Sequence, residues 1–390
     1  MEEWKEYKLE EVCSRLRSGK GIKSDCISNI GLFPVIGGNG MRGYTNKSNF
    51  KGECAVIGRQ GANCGNVRFF MGEAYMTEHA VVAVGNELAD SYFLARLLSL
   101  MHLGNLSAQS AQPGLSIQTL SKQIIRLPSI SYQREISTVL KSLDDKIELN
   151  RRINDNLEQQ AQALFKSWFV DFEPFKEGKF VESELGMIPE SWGVCSAETI
   201  FKINIGKTPP RKEQQWFSNI NNGNVKWISI SDLGSNEIFI EDSKEYLTKE
   251  AISKFNIIVV PEDTILVSFK LTVGRVGISN CELTTNEAVA RFYLPKSYFR
   301  EYTYLSLKNY NYARLGSTSS IATAVNSKII KNMKLLIPPV TIISEFSKRI
   351  NPLFNAIRIY ENEIRNLSKI RNTLLPELMS GKLKINDMNN

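Results

Sequence analysis

LDDKIELNRRINDNLEQQAQALFKSW, residues 143–168, carries Leu143, Ile147, Asn150, Asn154, Leu157, Ala161, Leu164 and Trp168 in alternating steps of four and three. Adding 210 to each number gives Leu353, Ile357, Tyr360, Ile364, Leu367, Arg371, Leu374 and Leu378, within LFNAIRIYENEIRNLSKIRNTLLPEL. Such spacing puts all eight side chains on one stripe of an α-helix, because two turns advance about seven residues. One stripe recurring at a fixed offset means that the chain is built from a repeat.

The flanks repeat as well. Ile125-Arg126-Leu127-Pro128 leads into the first helix and Leu335-Leu336-Ile337-Pro338-Pro339 into the second, each an extended run stopped by proline. Thr77-Glu78-His79-Ala80-Val81 matches Thr285-Asn286-Glu287-Ala288-Val289, and Trp4 and Trp192 open the two halves. Between helices, β-rich runs such as Val56-Ile57, Val81–Val84, Lys226–Ile230 and Thr264–Val267 alternate with Gly-rich polar stretches such as Gly37–Tyr44. The fold class expected is α+β. Mixed α/β domains at 1–130 and 181–340 alternate with helical segments at 131–180 and 341–390.

A helix from Gln133 to Val170 would be about 57 Å long. Two repeats related by a two-fold axis need their helices antiparallel, so the stripes are expected to bury against each other as a coiled-coil spacer. Duplex DNA is a natural ligand for two similar, non-identical domains held at a fixed distance, since half-sites recur along one face every helical turn.

Composition excludes more than it selects. The chain has 390 residues, too many for one core, and a net charge of +7 that permits nucleic-acid binding without demanding it. No apolar run is long enough for a membrane span, and Met1-Glu2-Glu3-Trp4 does not resemble a signal peptide; a cytoplasmic protein is expected. The six cysteines are scattered without a CxxC pair, and only His79 and His102 could join them, so no metal site is expected.

Catalytic motifs fail on inspection. Gly206-Lys207-Thr208 mimics the end of a P-loop, but Phe201 stands where its first glycine belongs, and Pro209-Pro210 bar the helix that would face a phosphate. Asn351-Pro352-Leu353-Phe354 lacks the second proline of the amino-methyltransferase motif and is read as a helix start. Pro261-Glu262-Asp263 with Lys270 is read as turn chemistry at a strand edge rather than a nuclease carboxylate set.

Three stretches carry a family resemblance. Gln162-Ala163-Leu164-Phe165-Lys166-Ser167-Trp168-Phe169-Val170-Asp171-Phe172-Glu173-Pro174 closely resembles the end of the central conserved region in specificity subunits of type I restriction-modification systems. Gly206-Lys207-Thr208-Pro209-Pro210, followed by Trp216 and Trp227–Leu233, resembles the opening of a target recognition domain, and Leu374–Gly381 is similar to the family's usual ending. Residues 1–130 match less well: Gly19-Lys20 is present, but no Thr-Pro follows.

The resemblance implies a non-catalytic subunit that binds a bipartite, asymmetric double-stranded DNA target. It implies two methyltransferase subunits and, in the full complex, two restriction/translocase subunits as partners. AdoMet, ATP and Mg are then expected in those partners and no cofactor in this chain.

On this reading, Arg17, Lys20, Arg42, Arg59 and Gln60 in the first domain, and Lys207, Arg211, Lys270, Arg275 and Arg314 in the second, are the DNA-binding candidates. Arginine and glutamine can read base edges, whereas lysine more often meets phosphate. Trp168 and Phe169 either pack on the second domain or present a partner-docking surface. A coiled-coil scaffold binding only protein, and a DNA-binding protein with no restriction partner, are the alternatives.

Overall fold

The proline-stopped runs are strands. The computed structural model, which describes residues 3–107, 114–234, 237–315 and 325–385, pairs Ile124–Leu127 antiparallel with Lys5–Lys8. It pairs Lys334–Ile337 with Gly193–Ser196 in the same way. The tryptophan that opens each half immediately precedes the first strand of its pair. The chain divides into one unit of residues 1–148 with 365–390 and another of residues 149–364.

The first unit holds a six-stranded sheet in the order Cys13–Ser18, Ala80–Gly85, Phe50–Gly58, Val67–Met76, Phe33–Gly37, Gly40–Thr45. Its neighbours are antiparallel except Phe33–Gly37 beside Val67–Met76. The strand through Ala80–Val84 is covered on both faces: Val81 and Ala83 face one apolar core, Val82 the other. This explains its unbroken apolar run.

The second unit repeats the pattern with Lys202–Ile205, Val289–Tyr293, Ile265–Ser268, Val276–Ser279 and Phe239–Ile240. A longer connection between its first and third strands adds Phe217–Ser218, Val225–Ile228 and Tyr246–Leu247, which join Thr284–Thr285 in a further sheet.

The offset of 210 extends beyond the stripe. Ile117–Ser121 and Ser327–Lys331 are equivalent helices, capped by the side chains of Ser116 and Asn326. The long helices, Ile130–Phe169 and Val340–Met379, hold the same offset at both ends and are 40 residues each, about 60 Å. The first leads from one sheet-bearing part of the chain into the other.

The expected coiled-coil seam requires correction. In the second unit the buried face of the helix Val340–Met379 is Ile343, Phe346, Ile350, Phe354 and Ile357; Leu353 and Ile364 lie beside it, half-buried. The first helix contributes Ala161, Phe165, Trp168 and Phe169 to the same core, with Leu157 and Leu164 at its margin. In the first unit Ile136, Leu140, Leu378 and Met379 are core and Leu374 is at its edge, whereas Leu143 and Leu367 are half-buried. Ile147 is buried.

Polar groups take the positions between. Asp144 accepts from Arg371 at 2.8 Å within the first unit, and Asn150 donates to Glu363 at 2.8 Å within the second. The stripe is therefore no continuous apolar zipper, because its ends are drawn into domain cores. Asn351-Pro352 is likewise not a helix start: the helix begins at Val340 and runs through Pro352.

Candidate nucleic-acid interface

In each unit the first strand of the large sheet ends on a Gly-Lys pair lying against the turn that opens the second strand. The Gly19 N–H donates to the Ala80 carbonyl and the Lys20 N–H to Met76, both at 3.0 Å. The Gly206 N–H donates to Val289 at 3.2 Å and the Lys207 N–H to Thr285 at 3.0 Å. A Cβ on Gly19 would fall on the carbonyls of Met76 and Thr77, and one on Gly206 on those of Thr285 and Asn286. Glycine is required by the close approach of two backbones. Gly19-Lys20, which lacks a following Thr-Pro, thus occupies the place of Gly206-Lys207. Thr77 and Thr285, at the start of the two turns, are both fully buried, and neither hydroxyl has a hydrogen-bond partner among the described residues.

The third strand of each sheet reaches the same end and closes on a matching hairpin. The Arg59 N–H donates to the His79 carbonyl at 3.0 Å, and the Phe269 N–H to Ala288 at 2.9 Å. Gly65 closes the first loop on the Gly58 carbonyl at 2.8 Å, and Gly274 the second on Ser268 at 2.9 Å. Both are in the left-handed region. Arg59-Gln60 in one unit is therefore equivalent to Phe269-Lys270 in the other.

This end of the first unit gathers all five of its candidates. The Arg59 guanidinium lies 3.5 Å from the Ser18 hydroxyl, next to Arg17 and Lys20. The turn after Phe33–Gly37 comes in beside them: Gly38 is packed against His79 and Gly58, and the stem of Arg42 lies beside Gly37. Among the described residues none of Arg17, Lys20, Arg42 and Arg59 has an acidic partner, and the neighbouring Glu78 faces His79 at 3.3 Å. Four such cations with an exposed amide suit a polyanion.

In the second unit the candidates divide. Lys207 and Lys270 are exposed, the Lys207 ammonium resting 3.3 Å from the carbonyls of Phe255 and Asn256. Arg211 is engaged internally. It forms a two-pronged pair with Glu245 at 2.8 Å and lies 4.4 Å from the ring centres of Phe217 and Trp227. Its guanidinium, by hydrogen bonding, holds the Glu245 carboxyl below the usual range. Arg275 donates to the Ile230 carbonyl at 2.8 Å, tying two loops together. Arg314 lies in the turn Tyr312–Leu315, and its side chain is outside the described residues.

The remaining motifs have structural employment. Trp168 and Phe169 are buried among Phe346, Tyr302 and Trp192, so these two rings pack in the core. Asp263 pairs with Arg300 at 2.9 Å and Glu262 with Arg358. Among the described residues no cluster of His, Cys, Asp and Glu could hold a metal ion, and no helix is long and apolar enough to cross a membrane.

One residue at this end escaped the sequence reading: Leu271, beside Lys270, is 99% exposed. Counted from Arg59 and Phe269, which open the two loops, and sharing a positive φ, it pairs with Gly61, although the second loop is one residue shorter.

Residues 1–159 and 189–369 match the Type I restriction modification DNA specificity domain. The chain is 31% identical over 297 residues to the type I restriction enzyme MjaIX specificity subunit of Methanocaldococcus jannaschii, covering 74% of this chain and 67% of the relative. It is 25% identical to the HindI specificity subunit of Haemophilus influenzae, covering 70% and 71%. The fold is similar to that of the S subunit of a type I restriction-modification system from M. genitalium, with a TM-score of 0.62, 16% identity and coverage of 97% and 96%. Two matched segments, one for each repeat, together with a relative aligned over most of both chains, place this protein in the family of type I restriction-modification specificity subunits.

Proposed function

We infer that this chain reads a bipartite, asymmetric duplex target, one half with the Lys20–Arg59 end of the first unit and the other with the Lys207–Lys270 end of the second. The recognition domains would be residues 1–130 and 181–340, and the helical segments 131–180 and 341–390 set the distance between half-sites. Members of the family are non-catalytic. Methylation and cleavage therefore belong to partners: two methyltransferase subunits and, in the full complex, two restriction/translocase subunits, which bring AdoMet, ATP and Mg.

The observation that carries this reading is the same strand-end framework built twice with different side chains at the tip: Arg59-Gln60 in one copy, Phe269-Lys270 in the other. One framework keeps the approach to DNA constant, and different tips select different bases.

Exchange of residues 1–130 for the corresponding segment of a relative tests it. Methylome sequencing is expected to find one half of the target changed and the other intact. Alteration of both halves, or of neither, would overturn independent readout.

A further inference from the structure

Leu271 combines two features that ordinary surface leucines lack. It is 99% exposed, and its φ of +58° lies in the left-handed region. For a residue with a branched side chain and no local hydrogen bond to offer, that conformation costs roughly 1–2 kcal/mol. Burial offers nothing in return, since the side chain touches solvent on every side.

The loop that displays it is firmly closed. The Gly274 N–H donates to the Ser268 carbonyl at 2.9 Å, the Ser268 hydroxyl donates to Thr272 at 2.6 Å, and the Arg275 N–H donates to that hydroxyl at 3.0 Å. Tyr312 packs against Gly274 from behind. The leucine is thus held at a fixed place on a rigid tip, which lowers the ordering cost of a contact.

The other copy gives the comparison. Its equivalent residue is Gly61, with φ +79° and nothing within 4 Å of where a Cβ would stand. The backbone of this turn asks for glycine in both units, and only the second spends the conformation on an apolar side chain. Its flanking cation is the exposed Lys270, suited to phosphate.

In a major groove lined with donors and acceptors, the apolar feature is the 5-methyl group of thymine. Accepting that this end of the second unit faces DNA, we propose that Leu271 is a specificity-determining residue that contacts a thymine methyl group in the second half-site. Gly61 makes no such contact in the first.

The test uses the full chain with its methyltransferase partner and fluorescence anisotropy on duplexes bearing the target found by methylome sequencing. Each thymine of the second half-site is replaced singly by deoxyuridine, which lacks only the methyl group. For the unaltered protein one replacement is expected to weaken binding about three- to five-fold, what one buried methyl group supplies. Leu271→Gly, which relieves the backbone and leaves the unfolding midpoint unchanged or raised, should bind thymine and deoxyuridine duplexes equally. Loss of sensitivity in the variant is the coupling that marks a direct contact.

No sensitive thymine, or an undiminished penalty in Leu271→Gly, would overturn the proposal; so would a variant weakened equally on every sequence. Lys207→Glu with Lys270→Glu separates this from failure of the underlying reading. If that double variant binds DNA normally, the strand end is not the DNA face and both fall. If it binds all duplexes more weakly while the Leu271 coupling is absent, only the present inference fails.

Discussion

Gly19 and Gly206 are fixed by the carbonyl groups they touch, and this makes them sensitive to the smallest substitution. Gly206→Ala would drive a Cβ onto the carbonyls of Thr285 and Asn286, none of which is a flexible chain end. Forcing the two backbones apart is expected to cost about 1–3 kcal/mol, read as a lowered unfolding midpoint of the purified chain. Gly193→Ala, with open space around its Cβ, should stay within about 0.5 kcal/mol of the starting protein. The same positions explain what could be read in advance. Gly19-Lys20 and Gly206-Lys207 recur because the backbone demands the glycine in both copies, so they are visible as a pattern. Arg59-Gln60 and Phe269-Lys270 share a backbone and no side chain, because the tips are free to differ. Arginine content pointed at loops that the first unit brings to one end of its sheet. It could not foresee that Arg211 would be occupied by Glu245 and two aromatic rings, since Glu245 is distant in sequence and only the intervening sheet brings it close.

Among the elements, the long helices are fastened to their surroundings by polar groups as much as by their stripe. Asp144, on the helix Ile130–Phe169, accepts from the Tyr92 hydroxyl at 2.5 Å and from Arg371 at 2.8 Å, and it pairs with Arg96. Asp144→Ala would leave two half-buried guanidinium groups and a buried phenol without their acceptor. It should destabilise the first unit by about 2–4 kcal/mol, measured as a drop in the urea midpoint. Asp145→Ala, whose partner Lys141 shares its exposed helix face, is expected to cost less than about 0.5 kcal/mol. Helix existence, length and repetition were legible, because a 4-3 stripe and a proline stop are local properties. What the stripe packs against was not. An amphipathic face records that something covers it, and in this chain much of the cover is a domain core that includes residues well outside the long helices, such as Trp192 and Tyr302.

For the molecule as a whole, each long helix passes from one unit to the other, and the spacer reading makes a metric prediction. Seven residues added to both helices, after Glu148 and after Ile364, keep the rotational phase within about 20° and add about 10 Å of rise. At 3.4 Å per base pair, the methylome should report the same two half-sites with about three more base pairs between them. An active variant with an unchanged gap would mean that the helices do not set the distance. The division of the chain also has a bearing on how it comes off the ribosome. The second unit is one continuous stretch and can close once residue 364 has emerged. The first, although its sheet precedes the second unit in the chain, lacks Leu378 and Met379 in its core and the turn of Gly381 against Trp4 until residues 378–381 arrive. The unit that begins earlier is thus completed later, and while the second unit is being made it waits with an apolar face uncovered, the state in which nascent chains most need chaperones.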